Sequence, residues 1–214
     1  MSNLTVHKIV VGRWFVSCYL VSKGNKVLVF DPGDDVEKII ERLDANSLIP
    51  LAIINTHAHY DHVGAVQELK DKYNIPFLLH SKDKRLLNHA SIYRSFVGES
   101  VKFKIPVIDS FLDESDELVI EDFKVKVLHT PGHTEGSVCF LMDDFIITGD
   151  TLMKGKVGRT DLPGADIEKY KQTLIKLLEL PDLTKIYPGH GEDTTIGIER
   201  ENNPAIKEIY ESQN

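Results

Sequence analysis

The chain has 214 residues, 25 Lys and Arg against 33 Asp and Glu, and a net charge of −8. That length suffices for one domain with a substantial core, and no Pro-, Gly- or Ser-rich linker divides it. Basic residues gather in nothing longer than the Lys82, Lys84, Arg85 group, which disfavours nucleic acid as a partner and favours a small metabolite.

The opening Met1-Ser2-Asn3-Leu4-Thr5 lacks the basic start and unbroken apolar core of a signal peptide. No apolar run reaches the length of a membrane span, so a cytoplasmic protein without a membrane partner is expected, of unassigned oligomeric state. Alternating residues predict three strands over Leu4 to Val11, Trp14 to Val21 and Val27 to Phe30, the last closed by Asp31-Pro32-Gly33. Cys18 and Cys139 fall inside strand-like apolar segments and read as buried thiols, not as a disulfide. Val36, Ile39, Ile40 and Leu43 have helical spacing, with Asp34 and Asp35 as candidate caps. A strand at Leu51 to Asn55 follows, then a helix near His62 to Tyr73, begun by Asp61 and His62. Next come a strand at Phe77 to His80 and a helical stretch at Lys82 to His89. Residues 90–109 show no clear period.

Strands resume at Glu117 to Ile120, Phe123 to His129, Val138 to Met142 and Phe145 to Thr148, with turns at Glu121-Asp122 and Asp143-Asp144. A helix is predicted from Ile167 to Leu180, ended by Pro181, then a strand at Lys185 to Tyr187. A last helix spans Thr195 to Tyr210, broken at Asn203 by Pro204. Two sheets with helices on their outer faces would bury these patterns, an α/β four-layer sandwich of αβ/βα type in a single domain over residues 1–214. The chain falls loosely into two β-rich, helix-flanked halves, without a residue-level repeat.

Five of the nine histidines lie in three short segments, Thr56-His57-Ala58-His59-Tyr60-Asp61-His62, Pro131-Gly132-His133 and Pro188-Gly189-His190. Each follows a predicted strand, and Asp150 follows another, so four strand ends present ligand-type side chains where α/β folds usually bind ligands. Imidazole suits Zn, Fe, Ni and Cu, carboxylate adds an anionic ligand, and seven ligands exceed the needs of one ion. Asp150 is short enough to bridge two ions roughly 3.5 to 4 Å apart. His7, His80, His89 and His129 are expected to be polar structural residues. Asp31 is both a good turn residue and a candidate acceptor for a ligand-ring N–H.

Thr56 to His62 carries an HxHxDH pattern that resembles the metallo-β-lactamase superfamily, and His133, Asp150 and His190 follow in that family's order. The resemblance implies that His57, His59 and His133 hold one metal, Asp61, His62 and His190 a second, with Asp150 between them. Zinc is the expected ion, with iron or manganese as alternatives. Within the family, Thr148-Gly149-Asp150 and Gly158-Arg159-Thr160-Asp161 resemble the short glyoxalase II-like proteins and the persulfide dioxygenases. The first likeness implies hydrolysis of a thioester of the S-lactoylglutathione type by a hydroxide shared between the ions, with Asp61 and Asp150 catalytic. The second implies a glutathione persulfide dioxygenase with a single iron on His57, His133 and Asp150. Lactonase or other ester hydrolysis, and a non-hydrolytic di-iron module, are further readings. Arg159 is a candidate partner for a substrate carboxylate or for Asp161, and Tyr60 a candidate substrate contact.

Overall fold

The computed structural model describes residues 4–98, 104–112 and 117–211. Strands β1 (Thr5–Val11), β2 (Val16–Lys23) and β3 (Lys26–Phe30) form the expected opening meander. Lys23 pairs with Lys26 across a two-residue turn whose first position, Gly24, has φ 62°, as tight hairpins require. From β3 the sheet turns parallel: helix α1 (Val36–Ala45) leads to β4 (Ile49–Ile54), α2 (Val66–Tyr73) to β5 (Phe77–Leu79), and α3 (Lys84–Phe96) precedes β6 (Ser110–Phe111). The order is β1-β2-β3-β4-β5-β6, and β4, flanked by parallel neighbours, carries the apolar run such a position demands.

The second sheet starts with β7 (Leu118–Ile120), β8 (Phe123–His129), β9 (Val138–Met142) and β10 (Phe145–Gly149), joined by turns where Glu121 and Asp143 take φ of 47° and 44°. A small hairpin of β11 (Leu152–Met153) and β12 (Lys156–Val157) forms a two-stranded sheet of its own. Helix α4 (Ile167–Leu177), β13 (Lys185–Pro188), β14 (Thr194–Thr195), α5 (Ile196–Asn202) and α6 (Pro204–Glu211) follow. The sheet order is β14-β13-β10-β9-β8-β7, with β10 and β13 parallel. Two mixed six-stranded sheets with helices give the α/β class that the sequence implies. Among the described residues no helix is long and apolar enough to cross a membrane.

Two compact units divide the chain, one of Met1–Asp113 with Val119–Phe123, the other of Glu114–Leu118 with Lys124–Asn214. Each has its own apolar cluster. In the first, Val29, Ile53 and Phe77 of the sheet meet Ile39 and Leu43 of α1 and Val66 and Leu69 of α2. In the second, Cys139, Ile146 and Ile186 meet Tyr170, Leu174 and Leu177 of α4. Cys18 and Cys139 are free thiols and fully buried, in β2 and β9.

Several boundaries differ from expectation for identifiable reasons. Asp61 and His62 do not begin α2, because the N–H groups there have other partners: His62 donates to the carbonyl of His59 and Ala65 to that of Pro32. Asp35 precedes α1 but does not cap it with its side chain, since its carboxylate accepts from Gly12 N at 3.1 Å. Helix α3 runs on through residues 90–96, while 99–103 lie outside the described residues. Helix α4 stops at Leu177, and Glu179 and Leu180 donate to Lys176 and Leu177 in tighter turns before Pro181. The break at Asn203 is present: Asn203 takes an extended conformation and its side chain accepts from Ala205 N to start α6. Strands β6, β11, β12 and β14 have two residues each, too few to show a period in sequence.

Candidate metal centre

In the first unit, the centre of the arrangement is Asp31, which follows β3 with φ 47° and is 1% exposed. Its Oδ1 accepts from Thr56 N at 2.7 Å, and its Oδ2 accepts from Thr56 Oγ1 at 2.7 Å and lies 3.2 Å from His62 Nδ1. The Thr56 hydroxyl has one proton and gives it to Asp31, so at 3.0 Å from His57 Nδ1 it serves as acceptor. Both rings therefore carry their proton on Nδ1 and present the Nε2 lone pair, the tautomer a metal ligand needs. Asp31 combines the two roles open to it in sequence, turn residue and ring acceptor.

The loop after β4 is fixed along its backbone as well. Ala58 N, between two of the histidines, donates to buried Asp83 Oδ2 at 2.9 Å, and Asn55 Nδ2 donates to His62 O at 2.7 Å. The His57 ring meets His59 edge-on at 4.8 Å and His62 at 4.1 Å. His57 and His62 are buried, and His59 and Asp61 are half-buried. Two glycines let this loop approach the Asp31-Pro32-Gly33 turn. A Cβ on Gly33 would lie 1.8 Å from Asp61 O, and one on Gly64 would lie 2.2 Å from Gly33 O.

In the second unit, β9 is antiparallel to both β8 and β10, and β13 is parallel to β10, so β8, β10 and β13 end on the same side of their sheet. Just beyond those ends stand His133, Asp150 and His190. The Gly189 N–H donates to Gly149 O at 2.8 Å, which locks the last two strand ends together. Asp150 Oδ2 lies 3.6 Å from His133 Nε2 and 3.6 Å from His190 Nε2. Hydrogen bonds are shorter, at about 2.7 to 3.2 Å. Two ligands at about 2.1 Å from one tetrahedral ion would instead be separated by about 3.4 Å. The donor set and its spacing thus fit metal ions.

His133 owes its orientation to a peptide group: Nδ1 donates to Arg159 O at 2.8 Å, which again leaves Nε2 as the basic nitrogen. Gly158 allows this approach, because a Cβ there would come within 2.3 Å of Asp150 O and 2.8 Å of His133 Nδ1. The Tyr170 hydroxyl, reaching in from α4, accepts from Gly158 N at 2.6 Å and donates to Thr151 O at 2.7 Å. Burial pushes its phenol well above the ordinary tyrosine range, so it stays protonated. Behind the β11–β12 hairpin, buried Glu199 accepts from Gly155 N, Asn203 Nδ2 and Thr194 Oγ1 at 2.8, 2.8 and 2.6 Å.

The structure therefore brings His57, His59, Asp61 and His62 into one turn and places His133, Asp150 and His190 beyond strand ends on one side of the second sheet. Tyr60 is half-buried and packs against the first unit's apolar cluster. Arg159 is exposed and forks onto Asp161 with Nε and Nη2 at 2.9 and 2.8 Å, which holds the Asp161 carboxyl below its usual range. His80 accepts from Lys82 N, His89 Nδ1 contacts Arg85 O and His129 Nε2 contacts Glu135 O, all local polar roles as expected. Asp83, Tyr170 and the Arg159 carbonyl escaped sequence reasoning. Gly158 sits in a motif that drew attention to the side chain of its neighbour Arg159, while the Arg159 carbonyl also has a role, as acceptor for His133. Asp83 and Tyr170 carry no local signal, since their partners are distant in sequence.

The family model of the metallo-beta-lactamase superfamily matches residues 11–190. Hydroxyacylglutathione hydrolase GloC of Haemophilus influenzae is 35% identical over 201 residues, 89% of this chain and 92% of that protein. The crystal structure of BLEG-1 B3 metallo-beta-lactamase superposes with TM-score 0.89 at 35% identity, covering 94% of this chain and 99% of that one. TTHA1623 in a di-iron-bound form gives TM-score 0.86 at 37% identity, covering 93% and 99%.

Proposed function

From the premise that this chain belongs to the metallo-β-lactamase superfamily, we propose that it hydrolyses a thioester of the S-lactoylglutathione type at a centre of two divalent metal ions. It is a metal-dependent hydrolase of that superfamily. In our reading His57, His59 and His133 would hold one ion, Asp61, His62 and His190 would hold the other, and Asp150 would be a ligand common to both. The observation that carries it is the position of Asp150, one of whose oxygens stands 3.6 Å from the Nε2 atoms of two histidines assigned to different ions. The hydroxyacylglutathione hydrolase among the relatives supports the substrate class, and the di-iron relative supports a pair of ions. Zinc is our assignment, with iron or manganese as the alternatives to be tested.

Two such ions, when bound, supply Lewis acidity toward a thioester carbonyl and make water nucleophilic at neutral pH. The chain's own residues hold the ligands in order. Asp31, through Thr56 and His62, and the Arg159 carbonyl keep three imidazoles as Nε2 bases. Asp61 and Asp150 would contribute negative charge to offset the cations. Neither cysteine serves as a nucleophile, because both are buried and burial pushes the Cys18 thiol up. Arg159, exposed beside the Asp150 loop, is assigned to a carboxylate on the thiol half of the substrate, exchanging its fork from Asp161. Tyr60 is assigned to the substrate's other contacts.

Purified protein is expected to bind close to two ions per chain and to cleave S-lactoylglutathione, losing activity to a chelator and regaining it with metal. Metal analysis beside assays of thioester cleavage, β-lactam opening and oxygen uptake with glutathione persulfide checks this. Saturation at one iron with oxygen consumption and no thioester cleavage would establish the dioxygenase instead. A charge-assisted hydrogen bond contributes about 1.5 to 3 kcal/mol, so Arg159→Ala should lower kcat/KM roughly 10 to 150-fold, chiefly through KM. An unchanged KM would remove Arg159 from the substrate site.

A further inference from the structure

We propose that Tyr170 is a positioning residue for the metal centre: its hydroxyl ties the backbone carrying Asp150 to the segment whose carbonyl orients His133. The proposal rests on the reading of Asp150 and His133 as ligands. Tyr170 lies on α4 at 1% exposure, among Leu174, Leu177 and Ile186, where a phenylalanine would satisfy the apolar cluster equally well. The hydroxyl is what needs explaining. It accepts from Gly158 N at 2.6 Å, donates to Thr151 O at 2.7 Å, and has Asp150 O at 3.1 Å. One oxygen thus joins two chain segments seven residues apart, counted from Thr151 to Gly158.

Each joined segment controls a ligand. Residues 150 and 151 carry Asp150 itself. Gly158 precedes Arg159, whose carbonyl takes the His133 Nδ1 proton at 2.8 Å. The same tyrosine also abuts the peptide before His133, since a Cβ on Gly132 would come within 2.4 Å of the Tyr170 Cα and Cβ. The residue therefore bears on three backbone segments around His133 and Asp150, two through its hydroxyl and one through its Cα and Cβ, each within two residues of a candidate ligand or of its partner. Without the hydroxyl, Gly158 N–H and Thr151 C=O lose a common partner in a buried place, and the two segments relax independently. Partners that orient metal ligands in this way typically contribute 10- to 100-fold to metal affinity.

The test is Tyr170→Phe, which keeps the ring and its packing. Zinc affinity is measured by competition with a chromophoric chelator, and the Co(II)-substituted protein by its visible absorption. The expected result is metal affinity 10- to 100-fold below wild type with a shifted Co(II) spectrum, while the metal-free variant retains cooperative unfolding. Wild-type affinity and spectrum in Tyr170→Phe would overturn the positioning role and leave the ligand reading standing. Asp150→Asn, run alongside, separates the two ideas: if it too binds metal like wild type, the ligand reading fails and takes the proposal with it.

Discussion

Asp150→Asn is expected to fold and yet to lose most of its metal and its activity. The amide keeps the shape of the side chain while removing the negative charge that would offset the metal cations proposed for this site. Residues that only orient ligands contribute 10- to 100-fold to affinity, so a shared ligand should exceed about 100-fold. Linkage gives the effect a second readout. Metal stabilises the native state in proportion to the logarithm of its excess over Kd, and a 100-fold weaker site forfeits about 2.7 kcal/mol of that gain. The stabilisation that metal adds, measured by unfolding with and without it, should therefore be smaller in the variant than in wild type by about 2.7 kcal/mol or more. Full activity with two ions bound in Asp150→Asn would sink the bridging assignment.

Gly33→Ala is expected to be strongly destabilising, because it adds a methyl group where the Asp31-Pro32-Gly33 turn meets the loop of candidate ligands. The new Cβ would sit 1.8 Å from the Asp61 carbonyl oxygen and 3.0 Å from its carbon, both backbone atoms that no rotamer change can move aside. Relief requires the two loops to part. That would break the hydrogen bond from Ala65 N to Pro32 O and strain the Asp31 bonds one turn away. Ordinary overpacking costs about 1 to 3 kcal/mol, and a clash between two backbones belongs at the upper extreme, about 4 kcal/mol or more. Gly24→Ala provides the contrast: nothing lies within 4 Å of its Cβ, so only its φ of +62° opposes alanine, at about 1 to 2 kcal/mol. Urea unfolding of the two variants measures the difference. Equal midpoints would mean the loops separate freely.

The sequence made legible those parts of the fold whose signals are local. Alternation in Phe123 to His129 and the unbroken apolar run from Val138 to Met142 mark strands whose bounds match, the first by its period and the second by its length between polar turns. The break at Asn203 was readable because proline has no N–H to give. Helix α2 was placed too early because His62 N–H closes a turn onto the His59 carbonyl and Ala65 N–H goes to the distant Pro32 carbonyl, and residue types show neither bond. The candidate ligands were legible as a cluster of residue types at strand ends. Their supports were not. Asp83 binds the backbone of Ala58 across 25 residues, and the Arg159 carbonyl binds His133 across 26, and a peptide oxygen carries no letter in the sequence.

The two cysteines turn into timekeepers. Thiol reagents attack the thiolate, and a side chain without solvent access meets them only when the surrounding structure opens. Cys18 lies in β2 of the first unit and Cys139 in β9 of the second, each fully buried. The chain thus carries one covalent clock per unit: the rate at which each becomes alkylated in native buffer counts how often its own sheet comes apart, so the resilience of the two halves can be read separately in a single tube.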